Sequence, residues 1–168
     1  MRAILAGAVL VALAVNSPTV RAQRGGSDGS PSLVGAWRLV SWTQRLADGS
    51  NRKSPLTVGS LIYSDSGRMC ATIMNPDRPA WRSRRPDDGE VRAAFEGLVA
   101  YCGTYDLHAA EGFVVHHVDV EKSPASVGIA RKRWFRFEGP NRLTLRVDPP
   151  ENAAGIVESV LEWERVSR

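Results

Sequence analysis

The chain has 168 residues, 43% hydrophobic and 24% charged, enough for one well-buried domain and too short for two comfortable ones. Its 22 basic and 18 acidic residues leave a formal net charge of +4, which is not the balance of a nucleic-acid-binding domain. Three histidines and two cysteines form no Cys-x-x-Cys or His-x-x-x-His spacing, and phosphate-cradling glycine loops and nucleophile-elbow motifs are absent, so neither a metal site nor a cofactor is expected.

Residues 1–22, MRAILAGAVLVALAVNSPTVRA, combine a basic start at Arg2, an apolar stretch from Ala3 to Val15, and Val20 and Ala22 at the outer positions of an A-x-A-like cleavage site. This predicts an export signal cut before Gln23, and a periplasmic or extracellular product. The apolar stretch is too short to span a bilayer as a helix, and no second one follows, so the mature chain is expected to lack a transmembrane segment. Loss of Arg2 and Arg21 leaves 20 basic and 18 acidic residues. Residues 23–32, QRGGSDGSPS, have nothing to bury and read as a disordered leader, with the domain occupying 33–168.

From Leu33 onward, short runs rich in Val, Ile, Thr and aromatics alternate with turn clusters. Eight strands are predicted, over residues 36–46, 58–64, 68–74, 101–108, 113–121, 129–138, 142–147 and 157–166. The turns ADGS, SDSG, AAEG and EGPN supply Gly, Asp, Asn or Pro where the chain must reverse. Between strands 3 and 4, Asp87 and Glu90 resemble a capping box, and Val91, Ala94, Phe95 and Leu98 follow at helical spacing; a short helix is expected there, against the barrel wall or across one end. The clusters WRSRRP and RKRWFR read as solvated faces. Eight consecutive antiparallel strands are best satisfied by an up-and-down barrel, because closure removes the exposed edges; a two-sheet sandwich is the structural rival. Such a barrel is wide enough for packed side chains or for one small ligand.

Strand parity sends His116 and His117 of FVVHHVDV to opposite faces. A four-residue AAEG loop pairs His108 with Phe113, Tyr105 with His116 and Thr104 with His117. The face holding Tyr101, Gly103, Tyr105, Leu107, Val114, His116, Val118 and Val120 is the more apolar, so His116 is expected inside. Pairing Val120 with Ile129 sets Arg133 opposite His116, on a face shared with Phe135 and Phe137, and predicts an interior row of Tyr105, His116 and Arg133. A three-residue GPN turn puts Phe137 against Leu143 and Phe135 against Leu145. Cys70 and Cys102 both face outward; a disulfide between them and two separate thiols under the helix are both open.

LVGAWRLVSW carries a Gly-x-Trp, Gly35 and Trp37, that resembles the opening signature of lipocalins. With GSLIYSDSGRMCATIM, AYCGTYDL, VVHHVDV, SPASVG, Arg133, NRLTL and LEWERV in order, residues 33–166 resemble the bacterial and fungal lipocalin-like domain family. The resemblance implies a calycin-type barrel around a small, mostly apolar molecule, with Trp37 plugging the closed end and Arg165 stacked on its ring. The helical insertion departs from the simplest lipocalin pattern, in which a helix lies near the C-terminus.

An inward guanidinium needs acceptors, water or an anionic ligand. Three readings follow. Tyr105, His116 and Arg133 satisfy one another and fix register; or Arg133 and His116 anchor the carboxylate or carbonyl of an apolar or amphipathic ligand packed on Phe135, Val114, Leu39 and Met69; or His116 is a general acid or base in an isomerase- or cyclase-like enzyme, with Tyr105 and Arg133 as further catalytic candidates. Tyr101 and Tyr63 read equally as core or cavity lining. An interaction module built on the Arg-rich loop around Trp81 is a further alternative.

Overall fold

The computed structural model describes residues 31–148 and 155–167; the expected export signal and nearly all of the expected leader lie outside the described residues. The chain forms β1 (Gly35–Leu46), β2 (Asn51–Lys53), β3 (Val58–Tyr63), β4 (Arg68–Met74), α1 (Asp88–Glu96), β5 (Leu98–His108), β6 (Phe113–Glu121), β7 (Ala130–Phe137), β8 (Arg142–Val147) and β9 (Ile156–Arg165). Each strand pairs antiparallel with the next from β3 to β9, β1 pairs with both β3 and β9, and the ring closes at eight strands with β2 attached to β1 outside it. The rival sandwich is thereby set aside.

The short β2 does not appear in the sequence reading, and the helix expected between strands 3 and 4 instead follows β4. The capping box is present: Asp87 accepts from the Glu90 amide at 2.9 Å and Glu90 accepts from the Asp87 amide at 3.0 Å. Leu98, expected on the helix, opens β5, while Val91 and Phe95 are half exposed. α1 buries no side chain; it is tied to the wall by the Lys122 ammonium, which bonds the Phe95 carbonyl, and by Arg78, which reaches the Ala94 carbonyl at 3.3 Å.

Inward residues alternate as strands require, and Trp37, Leu39, Leu61, Tyr63, Met69, Val114, Leu143 and Trp163 are each no more than 3% exposed. Bulges re-aim this alternation at three points, one of them in β9, where the pairing with β1 skips Val157. In β1 the pairing with β9 skips Val40, so Ser41 stays outside, bonded to Glu162 at 2.8 Å, and Trp42 turns inward. In β6 the pairing with β5 skips Asp119, which sits outside against Arg68. Val120, expected inside, is therefore 58% exposed, and Glu121 turns inward with its side chain only 4% exposed. Gly103 belongs at this bulge, because a Cβ there would overlap the His117 carbonyl.

The AAEG and GPN registers are as counted, with Tyr105 opposite His116 and Phe137 opposite Leu143. The β6–β7 register is shifted by two residues: His116 faces Arg131, and Arg133 faces Val114. The cause is the long β6–β7 connection, where the Val118 amide bonds Ile129 and the Gly128 amide bonds Val118. Parity survives the shift, so both arginines face inward, but the expected Tyr105, His116, Arg133 row is replaced. Cys70 and Cys102 lie directly opposite each other in β4 and β5 and form a disulfide.

Candidate functional site

The barrel interior has two layers. The lower is solid: Trp37, fully buried, donates its indole N–H to the Leu33 carbonyl at 2.8 Å and packs 6.2 Å from Phe137. The Arg165 guanidinium lies 4.1 Å from the Trp37 ring and donates to the Pro140 and Val34 carbonyls at 2.9 and 2.8 Å. Gly35, at φ 137°, leaves the room that this guanidinium fills. Leu39, Met69, Val114 and Phe135 belong to this packed layer and do not line the void above it.

Above it lies a cavity of about 690 Å³. Leu61, Ala71, Ile73, Val99, Leu145 and Leu161 form most of its apolar wall, together with Trp42 and Trp163. Of the ligand-contact residues expected from sequence, Tyr101, His116 and Arg133 line it, and Tyr105 does not. Tyr105 is half buried against the edge of Tyr63, ring centroids 4.9 Å apart, and its hydroxyl donates to the Ser64 carbonyl at 2.9 Å.

His116 is 1% exposed and stands between two phenols: Tyr63 Oη lies 2.7 Å from Nε2 and Tyr101 Oη lies 3.0 Å from Nδ1. Burial first, and then the Arg133 and Arg131 charges, push its pKa down to about 3, so the imidazole is neutral at physiological pH. Burial likewise pushes the Tyr63 phenol well above its ordinary range. His117, by contrast, is on the outer face, 2.7 Å from Asp106.

The two inward arginines differ. Arg131 faces the buried Glu121 carboxylate at 3.0 Å and stacks 4.8 Å over the Tyr101 ring. The pair is close but misaligned, since the Glu121 oxygen makes no hydrogen bond of good geometry. Arg133 bonds the Lys132 carbonyl at 2.9 Å and, among the described residues, faces no carboxylate within ion-pair distance. The indole N–H groups of Trp42 and Trp163, both wall residues, have no acceptor among the described residues. The cavity wall thus carries unpaired indole donors and, at Arg133, a positive charge that faces no carboxylate among the described residues.

The sequence leaves Tyr63 open between core and cavity lining and does not single out Trp42 or Glu121. The SDSG hairpin, which pairs Tyr63 with inward Met69, is the signal that places Tyr63 inside. The other two sit beyond bulges that parity does not foresee. Among the described residues no cluster of three or more His, Cys, Asp or Glu is placed to hold a metal ion.

A lipocalin-like domain model matches residues 34–166, essentially all of the described barrel. The chain belongs to the lipocalin-like domain family. No curated protein matches it. The lipocalin-like barrel is therefore common to the family, while its polar cluster has to be read from this chain's own residues.

Proposed function

We propose that this lipocalin-like protein binds one small apolar or amphipathic molecule inside its barrel, with the polar end held at Arg133 and at the His116–Tyr101 pair. The observation that carries the reading is the 690 Å³ cavity, whose wall is mostly apolar and into which the neighbouring strands β5, β6 and β7 bring Tyr101, His116 and Arg133. The isomerase- or cyclase-like alternative has less support: both His116 nitrogens already hold hydrogen bonds, and a base of such low proton affinity is a poor acceptor at neutral pH. The same reading places the protein outside the cytoplasm. The signal-like residues 1–22 and a disulfide, which persists in oxidising compartments, support that location.

Native mass spectrometry of the mature protein titrated with the neutral probe N-phenyl-1-naphthylamine tests the reading. A saturating adduct of one probe per chain is expected. Absence of any adduct, or a non-saturating ladder of adducts, contradicts it.

A further inference from the structure

The hydroxyl of Tyr63 is buried with its residue at 1% exposure, and among the described residues its single hydrogen-bond partner is His116 Nε2. A neutral imidazole has one N–H and one lone pair. If Nε2 carried the proton, it would donate to Tyr63 Oη, and the Tyr63 O–H would be left in the core with no acceptor. A buried donor without an acceptor keeps its full desolvation cost. With the proton on Nδ1, Tyr63 donates to Nε2, and Nδ1–H donates to Tyr101 Oη 3.0 Å away. Every group in the chain is then satisfied, and the Tyr101 O–H is released toward the cavity that Tyr101 lines. The Arg131 guanidinium stacked on its ring helps to hold it in place.

We propose that the Tyr63, His116, Tyr101 relay fixes the polarity of the site, making Tyr101 a donor into the cavity that Arg133 also lines, so that the ligand taken up is a carboxylate with an apolar body. This inference rests on the cavity-binding reading and sharpens it. Of the three cations along the wall, Arg131 is offset by Glu121 and the Lys132 ammonium is turned onto the Phe113 and Trp134 rings at 3.9 and 3.8 Å, while cavity-lining Asp148 is engaged by Arg146 at 3.3 Å, which leaves Arg133 for a ligand anion. A guanidinium and a phenol O–H that line one cavity offer a carboxylate a charge-assisted and a neutral donor. A ligand amine placed at Arg133 and Tyr101 would meet a cation and an O–H donor. A ligand alcohol would lose the charge-assisted bond. His116 is here a positioning residue, acting through Tyr101.

The test is displacement of N-phenyl-1-naphthylamine from the mature protein at neutral pH by three ten-carbon competitors: decanoate, decanol and decylamine. Decanoate is expected to compete at a concentration at least about tenfold below decanol, with decylamine weakest. Tyr101→Phe should cut decanoate affinity by about tenfold and leave decanol within about twofold, and Tyr63→Phe should narrow the same preference with probe binding kept. Probe binding with equal competition by all three, or with preference for the amine, overturns the carboxylate assignment while the cavity reading stands. Failure of the probe to bind overturns both. Long-range proton–nitrogen NMR of His116 in the unsubstituted protein checks the relay even if a tyrosine variant does not fold: a protonated Nδ1 with bare Nε2 is expected, and the opposite tautomer overturns the relay.

Discussion

His116 shows how far one buried side chain sets the behaviour of the site. Its folded pKa of about 3 lies below the ordinary 6.5, so between these values the unfolded chain binds a proton that the barrel excludes. Stability from this residue is therefore complete above pH 6.5 and is lost as pH falls toward 3, at a slope approaching about 1.4 kcal/mol per pH unit. Denaturant titrations at a series of pH values should show that slope between pH 6.5 and 4.5, above the carboxylate range. His116→Asn should flatten it while costing about 1–3 kcal/mol at neutral pH, through the tyrosine hydroxyls it leaves poorly paired. An unchanged slope would show that another group carries the acid sensitivity. The two inward arginines make a second contrast. Arg131→Ala strands the buried Glu121 carboxylate and should lower stability by about 2–4 kcal/mol. Arg133→Ala leaves no buried carboxylate behind among the described residues and should stay within about 1 kcal/mol, so that its main effect is on ligand affinity. Equal stability losses from the two would contradict the division of labour.

At the level of elements, the β4–β5 pair is held both by its ladder and by the Cys70–Cys102 bridge. The bridge closes the segment that contains the Arg-rich loop and α1, 32 residues of separation, and α1 itself buries nothing against the barrel. Reduction, or replacement of both cysteines by serine, should cost about 2–4 kcal/mol, lowering Tm by roughly 5–15 °C in calorimetry. No change would mean that the ladder alone sets the stability of this pair. Element types and hairpin registers were legible wherever a turn was short: the four-residue AAEG and three-residue GPN loops each admit one pairing that buries the apolar face. Where connections are long, legibility ended. The β6–β7 link moved His116 from Arg133 to Arg131, and the helical insertion hid the register that brings the cysteines together. Bulges at Val40 and Asp119 were invisible to strict alternation, because one skipped residue reverses every side chain beyond it.

For the whole molecule, parity and the Gly-x-Trp opening were enough to reach a closed barrel of the lipocalin-like family. They could not say how the interior divides between packing and empty space. Leu39, Met69, Val114 and Phe135 face inward as alternation requires, yet they pack below the void; depth along the barrel axis depends on stagger between strands, which period-2 reasoning does not contain. If the void above this layer is the binding site, filling it must weaken binding. Ala71 is buried on its wall, so Ala71→Phe should fill part of it with a ring while leaving the outer surface unchanged. The most direct measurement is the affinity of N-phenyl-1-naphthylamine for the unsubstituted protein and for Ala71→Phe, with circular dichroism confirming that both are folded. Saturable binding is expected in the unsubstituted protein, weakened by at least about tenfold in the folded variant; equal affinity in the two proteins would rule out binding in the void and move the ligand to the outside of the barrel.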